Sequence, residues 1–160
     1  MYNMDMLKNK ILSFTLFTLV TFSASIIGRL ATIGFKEPWY SLLIKTSLSP
    51  PDWIFGPVWT ALYLMMTIAV WNYWHSPKRN MNTVYLYFIH LIFNTTWSIV
   101  FFVFHSIIGA LINLLVLIIL IIFLIKEFKK VSTISYYLML PYLLWCLYAL
   151  ILNISLLLLN

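Results

Sequence analysis

NMNTVYLYFIHLIFNTTWSIVFFVFHSIIGALINLLVLIILIIFLI, residues 80–125, contains no Asp, Glu, Lys or Arg. Wound as one α-helix at about 1.5 Å per residue it would reach roughly 69 Å, more than twice the roughly 30 Å of a bilayer's hydrocarbon core. The run must therefore fold back on itself, and the natural break is at His105, Ser106 and Gly109. Its last part, LLVLIILIIFLI at 114–125, is apolar at every position, whereas strands of a membrane barrel alternate apolar and polar residues. Backbone groups in lipid need partners within their own segment or in a closed sheet, so helices remain.

Working outward, charge-free runs also cover 11–28, 53–77 and 131–160. Together they predict five spanning helices at about 10–33, 54–75, 82–104, 107–126 and 133–158, an all-α integral membrane bundle formed by a single domain over 1–160. The composition agrees, with 63% hydrophobic and only 9% charged residues, where a soluble domain carries about 25% charged. The apolar stretch after Lys8 and Lys10 exceeds the usual length of a signal-peptide core and four spans follow it, so it reads as a helix. Five spans place Lys8, Lys10, Lys78, Arg79, Lys126, Lys129 and Lys130 on one side and Arg29, Lys36 and Lys45 on the other. The positive-inside rule then puts the N-terminus in the cytoplasm and the C-terminus outside. The net charge of +6 is mostly this topogenic signal, and nucleic acid is not expected as a partner. A lone Cys146 excludes an intrachain disulfide.

The longest polar segment, about 34–52, joins the first two spans and ends in SLSPPDWIFGPVW (47–59). Pro50 and Pro51 fix the backbone there, Asp52 is placed to cap a helix beginning at Trp53, and Pro57 falls where leading N–H groups lack partners anyway. Three stripes stand at helical spacing: Phe55, Trp59 and Tyr63; His90, Asn94, Trp97, Phe101 and His105; and Tyr142, Trp145, Ala149 and Asn153. Polar groups buried in hydrocarbon without a partner cost several kcal/mol, so the stripes should face inward. Either they glue helices by hydrogen bonds, the reading preferred for Asn113, or they wall a pocket, the reading preferred for the three stripes together. Trp59, Trp97 and Trp145 would hold the helices apart and leave flat walls suited to a planar aromatic ligand. Arg29, Lys36 and Lys45 lie toward its mouth; snorkelling is the simpler reading of the two lysines, while Arg29 is equally suited to meeting an anionic substituent.

PWYSLLIKTSLSPPDWIFGPVWTALY (38–63), FNTTWSIVFF (93–102) and LPYLLWCLYALILN (140–153) occur in this order. In these motifs the chain resembles the TspO/MBR family of tryptophan-rich sensory and translocator proteins over about 38–157. The resemblance implies a five-helix bundle, often dimeric, that binds porphyrins, haem and benzodiazepine-type ligands beneath the first loop, with cholesterol added in animal members. It places Trp39, Tyr40, Pro50, Pro51, Pro57, Trp59, Asn94, Trp97, Ser98, Pro141, Tyr142, Trp145, Ala149 and Asn153 on family motif positions. With Arg29, Trp53 at the rim, Tyr63 and His90, the candidate ligand-binding set is Arg29, Tyr40, Trp53, Trp59, Tyr63, His90, Asn94, Trp97, Tyr142, Trp145, Ala149 and Asn153. The chain departs from the family's loop at Thr46 and Leu48, which implies an altered ligand preference, and no basic residue follows Lys130 to complete a cholesterol motif.

The function this favours is a porphyrin- or haem-binding translocator-type protein with a stress-sensing or regulatory role, in a lipid bilayer and as a possible homodimer through Gly109 and Ala110. No metal site and no obligatory cofactor is expected; porphyrin or haem is the ligand. One alternative is an enzyme degrading porphyrin with light and oxygen through Trp59 and Trp145. Others are a lipid or sterol transporter and a proton-coupled transporter, the last disfavoured because no Asp or Glu lies within a span. His90 and His105 are open to two readings, a buried hydrogen-bonded imidazole or an axial ligand to haem iron.

Overall fold

A computed structural model describes residues 2–160, with side chains described from Asn9 onward. Its elements are α1 (Tyr2–Phe35), the short α2 (Trp39–Leu42), α3 (Phe55–Trp74), α4 (Met81–Ser98), α5 (Ile107–Lys129) and α6 (Thr133–Leu159), with no strand among the described residues. Among the described residues, five stretches are long and apolar enough to cross a membrane: Asn9–Phe35, Asp52–Trp74, Met81–Val103, Ile107–Lys129 and Thr133–Leu159. The protein is an integral multi-pass membrane protein built as a five-helix bundle.

Three of the turns stop and restart the chain with side-chain caps. Asn80 accepts a hydrogen bond from the Asn82 N–H at 2.9 Å, Ser106 from Gly109 at 3.1 Å and Ser132 from Ser135 at 3.2 Å. Each satisfies one of the orphan donors of a helix start, worth about 1 kcal/mol. Asp52 does not do this for α3. It opens a 3₁₀ turn, Asp52–Ile54, that precedes the helix, and its carboxylate instead pairs with Lys36 across the loop.

The fourth element departs from plain α geometry. After Ser98 the backbone widens into a π turn at Ile99–Val103, with the Phe104 N–H donating to the Ile99 carbonyl at 3.1 Å and the Ser106 N–H to that of Val100 at 3.1 Å. One extra residue in a turn rotates the chain beyond it by about 100°. His105 therefore leaves the stripe that the sequence spacing assigned to it. It adopts a left-handed φ of 50°, is exposed, and stacks on Trp39 at 4.6 Å.

Around the bundle α1 packs on α3 and α4, α3 on α6, α6 on α5 and α5 on α4, a closed ring in the order α1, α3, α6, α5, α4. The 34–52 loop, the α4–α5 turn and the chain's last residue share one end, here the loop end; the α3–α4 and α5–α6 turns share the other, the turn end. Gly109 and Ala110 are used inside this ring. A Cβ on Gly109 would meet Val100 Cγ1 at 2.9 Å, and Ala110 is fully buried. They hold α5 against the π turn.

Candidate functional site

Each of the five spans contributes to one cavity of about 440 Å³ in the loop-end half. Gly28, Arg29 and Thr32 come from α1, Phe55, Trp59 and Tyr63 from α3, and Asn94, Trp97 and Ser98 from α4. The π turn adds Phe101 and Phe102, α5 adds Leu114 and Leu117, and α6 adds Trp145, Tyr148, Ala149 and Asn153. The volume lies within the roughly 300–1,000 Å³ of small-molecule sites. The walls are flat because the aromatic rings support one another. Trp97 stacks on Phe101 at 5.2 Å and 8° between planes, Phe55 meets Trp145 edge-on at 5.9 Å, and Trp59 lies 5.5 Å from Tyr63.

The floor is a hydrogen-bonded triad joining three helices. The Tyr63 hydroxyl donates to Asn94 Oδ1 at 2.5 Å, and Asn94 Nδ2 donates to the Tyr142 hydroxyl at 2.9 Å. In the absence of water each buried partner left single would cost about 1–3 kcal/mol, so the triad fixes the angle of all three rings. Below it His90 is fully buried; its Nδ1 engages the Tyr87 carbonyl and its ring lies 5.8 Å from Tyr142.

Other polar atoms at this end are left single. Asn153 is 2% exposed with neither Oδ1 nor Nδ2 partnered, and the indole Nε1 of Trp97 is buried without an acceptor. Both residues belong to the cavity wall. Asn113 sits between α5 and α4 instead, donating from Nδ2 to Thr96 Oγ1 at 2.8 Å.

The loop closes the top. Lys36 pairs with Asp52, the Tyr148 hydroxyl donates to the Leu48 carbonyl at 2.6 Å, and the Asn160 side chain engages Ile44 through both N–H (2.9 Å) and C=O (3.1 Å). Trp39 and Tyr40 lean edge-on against Phe101 at 5.2 and 6.1 Å. Lys36 and Lys45 lie 4.9 and 4.1 Å from the centre of the Tyr40 ring. Burial, then the carboxylates of Asp52 and Glu37, push the Tyr40 hydroxyl above its ordinary pKa, so the ring stays neutral beneath the loop.

Of the residues singled out from sequence, the cavity brings together Arg29, Tyr40, Trp59, Tyr63, Asn94, Trp97, Trp145, Ala149 and Asn153. Three lie elsewhere. Trp53 is 73% exposed because the 3₁₀ turn directs it away from the bundle. Tyr142 and His90 are fully buried behind the wall and position it rather than line it. Leu48 is exposed and outside the cavity, meeting the site only through its carbonyl. Phe102, Tyr148 and Gly28 line the cavity without having been anticipated. Tyr148 had a signal in its i+3 spacing from Trp145; Phe102 had none, since only the π turn brings it inward.

No imidazole is among the residues lining the cavity, and among the described residues no three His, Cys, Asp or Glu gather as a metal site. The donor set fits a planar ring held by stacking and by amide and indole hydrogen bonds. It does not fit a haem iron ligated by His90 or His105.

A model of the TspO/MBR family matches residues 16–159. The tryptophan-rich protein TspO of Chlorobaculum tepidum is 35% identical over 126 residues, 76% of this chain and 79% of that relative. The tryptophan-rich protein TspO of Archaeoglobus fulgidus is 33% identical over 134 residues, 83% and 87% of the two chains. The human translocator protein is 29% identical over 141 residues, covering 86% of this chain and 83% of its own.

Proposed function

The chain belongs to the TspO/MBR family of membrane translocator and sensory proteins, and from that premise we propose that it binds porphyrins, haem and comparable flat hydrophobic molecules in the loop-end cavity, for translocation or sensing. One observation carries the reading: a 440 Å³ cavity walled by Trp59, Trp97, Trp145, Phe55 and Phe101, whose wall also holds the unpartnered Asn153 amide and Trp97 indole N–H. Stacking supplies the affinity, about 0.5–1.5 kcal/mol per aromatic pair beyond burial. The amide and indole orient the ligand, and Arg29 at the open edge faces its carboxylate. The loop end lies outside the cytoplasm, as the distribution of Lys and Arg directs; reporter fusions at the two termini check that orientation.

Purified protein titrated with protoporphyrin IX should show saturable quenching of tryptophan fluorescence. Trp145→Leu should weaken binding about tenfold, the equivalent of 1.4 kcal/mol, and Asn153→Leu by a few-fold. Binding that neither substitution changes would place the ligand outside this cavity.

A further inference from the structure

Five cavity-lining residues are also exposed: Arg29 and Ile33 on α1, Asp52 in the 3₁₀ turn before α3, and Gly56 and Thr60 on α3. These helices are neighbours in the ring, yet a residue facing the interior of a closed ring should be covered. Where they touch explains the exception. Ser13 Oγ lies 2.8 Å from His75 Nε2, Phe14 and Trp71 are 5.5 Å apart, Phe17 and Trp74 5.8 Å, and Phe22 and Tyr63 6.1 Å. Beyond that last pair, no aromatic or side-chain hydrogen-bonded pair among the described residues joins the two helices until Lys36 reaches Asp52. The interval is 14 residues on α1 and 11 on the α3 side, roughly 21 and 16 Å at helical rise.

The glycines locate the same gap independently. A Cβ on Gly28 would meet Ser98 Oγ at 3.2 Å, so α1 is tight against α4; a Cβ on Gly56 would meet nothing within 4 Å. Arg29 stands at the gap's edge, inside the span Asn9–Phe35, and no carboxylate pairs with it among the described residues. A cation at that depth is costly unless it reaches the interface or meets an anion.

We infer that the gap between α1 and α3 is a lateral portal by which a carboxylate-bearing, bilayer-dissolved planar ligand enters the cavity, with Arg29 as the residue that captures the carboxylate. The ring system slides edge-first past Gly56, where nothing projects, and Thr60, one turn deeper, while Arg29 neutralises the acid that would otherwise keep the molecule at the headgroups. The route is independent of the tetrapyrrole reading; only the choice of anionic probe rests on it.

Cys146 is the chain's single cysteine and lies in the cavity wall, so its labelling reports arrival inside. In liposomes, a lipophilic N-alkylmaleimide should label Cys146 faster than a membrane-impermeant sulfonated maleimide. Gly56→Phe, which fills open space, should slow the lipophilic reagent about tenfold, and Thr60→Phe should do the same from one turn deeper. Labelling unaffected by both, or faster with the impermeant reagent, would overturn the portal. Arg29→Gln should slow association of protoporphyrin IX about threefold and leave its dimethyl ester unchanged. Equal slowing of both would remove the capture role. Slowed labelling together with no porphyrin binding would keep the portal and refute the tetrapyrrole reading.

Discussion

The two halves of this bundle use the same kinds of side chain to opposite ends. At the turn end Tyr73 and Phe128 rings close to 4.8 Å, and Met66, Ala69, Val70 and Met139 are fully buried around them. Asn72 donates to Ser132 at 2.6 Å and Ser135 to the Ala69 carbonyl at 2.7 Å, so these polar groups are satisfied within the protein. At the loop end Trp59, Trp97 and Trp145 are only half-buried and enclose space. Small residues set between aromatics let helices close; indoles set opposite one another prop them open. With lipid tails as apolar as leucine, packing is what distinguishes the halves energetically.

The contrast breaks most visibly at Tyr73. Tyr73→Ala should cost about 3 kcal/mol by opening a cavity in a filled region, while Trp59→Ala, beside existing space, should cost clearly less in thermal unfolding in detergent. Equal losses would mean that the loop-end cavity is filled as tightly as the turn end.

A sharper comparison lies within the cavity wall. Asn94→Leu orphans the Tyr63 and Tyr142 hydroxyls and should destabilise by about 2 kcal/mol. Asn153→Leu removes two atoms that have no partner, and should leave stability unchanged or raise it while weakening ligand binding. Denaturation and quenching measured on the same two variants separate a residue that builds the site from one that serves it.

The smallest expected effect is at the turn end. Burial, then Lys10 and Arg79, hold the His75 imidazole below its ordinary pKa of 6.5, so the folded state favours the neutral ring that meets Ser13. Because the folded value is depressed, this contribution is intact above about pH 6.5 and is lost as pH falls through the folded value. His75→Gln should flatten the stability profile just below pH 6.5; a parent profile already flat there would detach His75 from the α1–α3 contact.

The helices were legible in the sequence because a charge-free run of 46 residues admits only one kind of solution in lipid, and the observed boundaries track it closely. The inward aromatics were legible for the same reason, since Trp59, Trp97 and Trp145 sit on stripes at helical spacing. What stayed hidden were choices made between helices. Asn94 and Asn153 look alike in sequence, but only the approach of Tyr63 and Tyr142 consumes the first. Asp52 looks like a cap until Lys36 arrives from the other side of the loop. The π turn has no proline or glycine to announce it.

That turn has a genetic consequence. Because the π turn takes up one residue more than an α turn, a single-codon deletion at 103 would let the segment rewind as α-helix, about 1.5 Å shorter, with the residues beyond 104 keeping the face they now hold. One in-frame loss there would thus be absorbed locally, whereas the same loss in the plain α stretch before Ser98 would turn Phe101 and Phe102 by about 100° relative to the helix upstream.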